Sequence, residues 1–320
     1  MNAPQAGPVL PHVPVTIFAS VMGLAGLGLA WRKANALLGF PAMVSDGVLV
    51  LAALAFLASA TTYGLKALRH FPAVVGEFDH PIRSAFFSTI PISMMLMAAA
   101  LHPHGPAVSF WLWAAGALLQ LALTIRLIVR WMVHKQDITH VNPAWFIPIV
   151  GNIIVPTLGV SLGQIEISWF FLSIGMVFWL PLMTIVLYRV IFHDALPPRL
   201  APTLFILLPP LAVGYLAYVG LVGTVDPFAQ VLVNGALFMT LVLLAKTRRF
   251  ISLPFALSWW AFTFPLDAVA MAAIQHGRFA PDGMWPTVGL AMLALASLVV
   301  GIVTVRTLAA IAKRTLFVPE

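Results

Sequence analysis

Cysteine is absent from the 320-residue sequence. Disulfides, thiolate catalysis, iron–sulfur clusters and cysteine-ligated zinc are therefore excluded. Charge is nearly as scarce: 8% of residues are Asp, Glu, Lys or Arg, whereas 61% are hydrophobic. A soluble domain carries about 25% charged residues, so there is too little polar surface to coat a water-soluble globule. The apolar residues form continuous runs, not the short alternating strands of a transmembrane β-barrel. An all-α integral membrane protein is the expectation. The sequence also lacks a Walker motif, a Gly-x-Ser-x-Gly elbow and a haem-type His pair within a span. Enzymatic chemistry has no visible apparatus, and neither catalytic residues nor a cofactor or metal is expected. In a soluble protein the net charge of +7 would suggest nucleic acid. In a bilayer the basic residues orient helices, and no nucleic-acid partner is expected.

A helix that crosses the hydrocarbon core needs about 20 mostly apolar residues. Splitting the chain where charge, Pro and Gly cluster gives ten such segments within one domain spanning 1–320. They run at about 14–31, 47–66, 83–101, 107–130, 143–162, 167–189, 200–221, 227–245, 254–275 and 286–311. We number them helices 1 to 10. The stretch Met1–Val13 has no Lys or Arg, so it lacks the basic region of a secretory signal, and helix 1 is expected to stay in the mature protein. With ten spans, 14 of the 17 basic residues fall on the side of the termini and three (Arg32, Lys33 and Arg278) on the other. The positive-inside rule then places both termini in the cytoplasm; a bacterial inner membrane is the expected location.

Proline recurs in the odd-numbered helices. Pro91, Pro148, Pro209 and Pro265 follow one another at intervals of 57, 61 and 56 residues, the length of one helical hairpin. Helix 1 offers Gly23, Gly26 and Gly28 instead, and Pro181 in helix 6 is an exception among the even helices. Mid-helix proline removes a hydrogen bond and kinks the axis, and the freed carbonyl needs protein or water. Kinked odd helices around a wet path, with straight even helices outside, satisfies this. Transmembrane helices also tolerate proline generally, and kinks that only help packing are the alternative. The glycine cluster has no preceding strand, so it reads as close helix packing rather than nucleotide binding.

Intramembrane ionisable groups are where function usually shows. Of ten acids, only Asp267 lies well inside a span, in helix 9. One acid makes a poor proton relay, and a structural hydrogen bond or an inter-subunit contact competes with a transport role. The nine histidines fall in loops or at helix ends, and His102 with His104 is too small a set for a metal. The densest aromatic stretch, Ser258 to Leu266, abuts Pro265. At 100° per residue, Phe262 and Phe264 lie about 200° apart, so one of them at most faces an inner path.

Five pieces in order then carry a resemblance. They are Met22-Gly-Leu-Ala-Gly-Leu-Gly-Leu-Ala-Trp31; Glu77-Phe-Asp-His-Pro-Ile-Arg83 followed by Ile90-Pro-Ile; Thr139-His140 followed by Trp145-Phe-Ile-Pro-Ile-Val-Gly-Asn152; Gly175-Met-Val-Phe-Trp179; and Trp260-Ala-Phe-Thr-Phe264. Across nearly its whole length the chain resembles the tellurite-resistance/dicarboxylate-transporter family, which includes TehA-type channels of bacteria and the slow-type anion channels of plant guard cells. The resemblance implies five tandem hairpins around a quasi-fivefold pore, assembled as a homotrimer with one pore per subunit. It also implies an aromatic plug in helix 9, carried here to Phe262 with Phe264 as runner-up. Asp267 should then point away from the path, since an acid there would repel anions. Small inorganic anions are the expected cargo. A secondary carrier of C4-dicarboxylates, with or without proton coupling, or a tellurite-resistance efflux protein is the other reading.

Overall fold

Burial separates the helices into two sets. In the apolar windows of helices 1, 3, 7 and 9, between 61 and 83% of residues are buried; in helices 2, 4, 6, 8 and 10 the share is 22 to 33%. The odd helices therefore form the core and the even ones present their apolar faces outward. The computed structural model describes residues 10–313, 315 and 316; most of Met1–Val13, and Arg314 among the basic residues, lie outside these. All described regular elements are helical. Nine are long and apolar enough to cross a membrane: Val15–Leu38, Ala42–Arg69, Arg83–Leu101, Pro106–Val133, Ile165–Phe192, Ala201–Val222, Pro227–Leu244, Leu257–Phe279 and Trp285–Ala312. Helix 5, Pro143–Gly159, is shorter.

The odd helices share a device that their hydrophobicity does not reveal. Each opens in 3-10 geometry before turning α-helical: Val15–Ile17 in helix 1, Arg83–Ser88 in helix 3, Pro143–Trp145 in helix 5, Ala201–Leu207 in helix 7 and Leu257–Phe262 in helix 9. The α-helical parts then begin at Phe18, Thr89, Phe146, Pro209 and Thr263. The four prolines expected as mid-helix kinks stand instead in the first turn of these α segments. In a first turn the N–H that proline lacks would have been unpaired anyway, so the ring starts an α-helix there and does not break one.

Hydroxyls brace this tighter winding on all five helices. Ser20, Thr89, Thr157, Thr203 and Thr263 each donate to the carbonyl three residues back, at 2.6–2.7 Å. A short side chain returning to its own backbone competes with α-helical pairing, which suits a 3-10 to α junction. Within lipid every backbone group must be paired inside the protein.

Helix 5 departs furthest from regularity. It returns to 3-10 at Gly151–Ile154 before its last α turn. Gln120 and Thr124 of helix 4 donate to the Pro148 carbonyl at 2.8 and 2.6 Å, and the Asn152 amide donates to Ile149 O and to Thr124 Oγ1, both at 2.9 Å. Gly151 admits Gln120, whose Nε2 would stand 2.5 Å from a Cβ placed there. Side-chain amides thus take over carbonyls that an unbroken helix would pair itself.

Candidate functional site

A cavity of about 1050 Å³ occupies the space between the odd helices, and all five line it. Helix 1 contributes Thr16, Ala19 and Met22; helix 3 contributes Phe86, Thr89 and Ile92; helix 5 contributes Phe146, Val150 and Ile154. Helix 7 adds Thr203, Ile206 and Val213, and helix 9 adds Ser258, Trp260, Phe264 and Pro265. The 3-10 openings explain why these residues share one lining: they set the first turns of the odd helices side by side. On helices 1, 3, 7 and 9 the lining stops near mid-length, at Met22, Ile92, Val213 and Pro265. The inner end is apolar. His12, Arg83 and Arg199 line the opposite end, on the side of the termini.

Helix 9 divides its two phenylalanines between different surroundings. Phe264 lines the cavity, whereas Phe262 does not. The Phe262 ring packs against Phe205, Phe250 and Trp259, with centroids 4.9, 5.5 and 5.8 Å away. The expectation had placed Phe262 inward. Spacing alone shows that the two side chains diverge but not which faces in; the aromatic contacts from helix 7 and from Thr247–Ile251 decide that.

Helix 1 lies close against helix 9. A Cβ on Gly23 would stand 2.1 Å from Thr263 Oγ1, and one on Gly26 would stand 2.7 Å from Asp267 Oδ2 and 3.0 Å from Phe264 Cδ2. Gly28 faces helix 2 instead, 2.5 Å from Leu49 Cδ2 by the same measure. Asp267 is wholly buried and does not line the cavity.

The cavity mouth holds a network that the sequence did not announce. Lys66 and Glu77 are both buried and pair at 2.8 Å. Glu77 also accepts from the Tyr63 hydroxyl at 2.9 Å and the Val15 N–H at 2.7 Å, while Lys66 donates to Val13 O at 2.7 Å. Glu77, outside the expected spans, sits on a short helix, Phe71–Asp79, that follows helix 2. The 11-residue separation of Lys66 and Glu77 was the available signal, but only that helix turns them toward each other. His276 lies in the last turn of helix 9, at a helix end as expected, and is buried there with Nδ1 2.9 Å from the Tyr215 hydroxyl. Among the described residues no group of three or more His, Cys, Asp or Glu could hold a metal ion.

Comparison with known proteins agrees with this architecture. A sequence model of the voltage-dependent anion channel family (SLAC1) matches residues 12–308. The S-type anion channel SLAH3 of Arabidopsis thaliana is 28% identical over 309 residues, covering 94% of this chain and 49% of that protein. The guard cell S-type anion channel SLAC1 of the same plant is 24% identical over 296 residues, covering 89 and 53%. The chain thus spans about half the length of these plant relatives. The tellurite resistance protein TehA homolog of Haemophilus influenzae is 28% identical over 273 residues, covering 83% of this chain and 82% of that one. With nearly 300 matched residues that take in every cavity-lining helix, the chain belongs to the voltage-dependent anion channel family.

Proposed function

We propose that the chain is a channel that passes small anions through the cavity between its odd helices, held shut by the Phe264 ring. The observation that carries this reading is the apolar inner end of a cavity lined by all five odd helices, with Phe264 among its lining. Basic residues at the mouth raise the local anion concentration. No Lys or Arg lines the inner half, and that suits conduction, since an anion held by a fixed charge in low dielectric would leave slowly. The constriction works through apolar bulk, as hydrophobic gates do by dewetting.

The distribution of Lys and Arg supports cytoplasmic termini, with a bacterial inner membrane as the expected location, so the end of the cavity lined by His12, Arg83 and Arg199 opens to the cytoplasm. A tag on the C-terminus reached by reagents only from outside intact cells would overturn that orientation. A homotrimer remains the assembly implied by the resemblance, with each path complete inside one chain; chemical cross-linking in membranes tests it.

The decisive measurement is the current carried by purified protein in planar bilayers. Reversal potentials should follow the anion gradient, and Phe264→Ala should raise the conductance at least tenfold over a nearly silent wild type. A silent Phe264→Ala protein that is well folded would overturn the gate.

The cavity volume favours one further reading. About 1050 Å³ is ample for an organic dianion, as a carrier of C4-dicarboxylates would need. Uptake that saturates and follows a proton gradient would identify a carrier; linear current would identify a channel.

A further inference from the structure

Asp267 is wholly buried where helix 9 meets helix 1, and neither carboxyl oxygen has a hydrogen-bond partner among the described residues. It stands one helical turn beyond Phe264, and both side chains rest on Gly26: a Cβ there would lie 2.7 Å from Asp267 Oδ2 and 3.0 Å from Phe264 Cδ2. The titratable and charged groups on the elements packed around it are engaged elsewhere or stand at helix ends. On helix 1, Arg32 donates to Ala99 O and Ala100 O, and Lys33 donates to Gln275 Oε1. On helix 7, Tyr215 pairs with His276 of helix 9, while Tyr218 donates to Asp226, which caps helix 8. Arg278 lies at the far end of helix 9, and Arg306 of helix 10 lies over Trp259 at its start. An ionised carboxylate without a partner is strongly disfavoured in such surroundings, so this packing accommodates the neutral acid.

We propose that Asp267 is a proton-binding site that sets the Phe264 gate, an assignment that rests on the channel reading. With its proton in place the acid lets helix 9 lie flush on Gly26, and the ring stays in the path. When the proton passes to cavity water, the carboxylate left behind moves toward that water. Phe264, on the same turn and the same glycine, is carried off its seat. Conductance should therefore rise with pH on the cavity side.

Anion current in planar bilayers and infrared absorption of protonated carboxyl groups, both taken across a pH series, test this. In the wild type the current should rise at least tenfold with pH, as the carboxyl band assigned to Asp267 disappears. Asp267→Asn, which stays neutral, should carry a low, pH-independent current and lack that band; Asp267→Ser serves if the amide variant does not fold. A variant that keeps the wild-type pH profile, or a wild type without the band at the pH of low current, overturns the proposal. If even Phe264→Ala carries no current, the channel reading has failed and the infrared titration alone decides the proton site.

Discussion

The Phe264 ring rests on the backbone of Gly26, in space that a side chain on that glycine would fill to within 3.0 Å of Cδ2. Helix 1 has glycines where the other odd helices have proline, and two of them serve as seats for helix 9. The glycine run and the aromatic motif, more than 230 residues apart in the chain, are two sides of one contact.

Gly23→Ala should destabilise the protein. Its Cβ would meet Thr263 Oγ1 at 2.1 Å, and that hydroxyl is already committed to Trp260 O. Overpacking of this kind costs about 1–3 kcal/mol. Gly47→Ala, on an exposed part of helix 2 with nothing within 4 Å, should instead gain about 0.5–1 kcal/mol. Thermal unfolding of both variants in one detergent checks the contrast, and equal midpoints would contradict the close approach.

Phe262→Ala removes a ring packed against three other aromatics. The expected loss is about 3–5 kcal/mol of stability, with little change in conductance. Single-channel recording alongside a melting curve separates this from Phe264→Ala. A large current from a folded Phe262 variant would reverse the assignment of the two residues.

Lys66→Met and Glu77→Met should each be costly, at about 3–5 kcal/mol, because each leaves the remaining charge buried without its partner. The double variant Lys66→Met/Glu77→Met should be less destabilised than the two losses added together. A double-mutant cycle on unfolding midpoints measures the coupling. Strict additivity would mean that the pair contributes nothing as a pair.

Asp226 titrates at the end of helix 8 that faces away from the termini. The Tyr218 hydroxyl and the Ala229 N–H both donate to it, in that order of effect, and hold its carboxyl below the usual range. A depressed folded-state value means that the stabilisation is complete above the ordinary carboxylate range and is lost as pH falls through the lowered value. Acidification should therefore reduce the wild-type unfolding midpoint more than that of Asp226→Asn, which keeps an N-cap acceptor but does not titrate. Parallel acid melting curves for the two proteins would refute this.

Membrane residence, the all-helical fold and the location of the odd-helix prolines were legible in the sequence, because lipid demands long apolar runs and hairpins repeat at a fixed length. The motif Trp260 to Phe264 likewise stood out in the sequence as part of its densest aromatic stretch. What those prolines do was not legible. A run such as Thr89-Ile-Pro91 or Thr263-Phe-Pro265 is as apolar in 3-10 as in α geometry, and only the packed structure shows the hydroxyl turning back to its own backbone. The choice between Phe262 and Phe264 also lay beyond local pattern. Periodicity fixes the angle between two side chains on a helix, whereas its absolute orientation comes from neighbours distant in the chain: Gly26 under Phe264, and Phe205 and Phe250 around Phe262. The Lys66–Glu77 pair is of the same kind, since its charges are visible in any composition count but their burial needs the short helix that folds one onto the other.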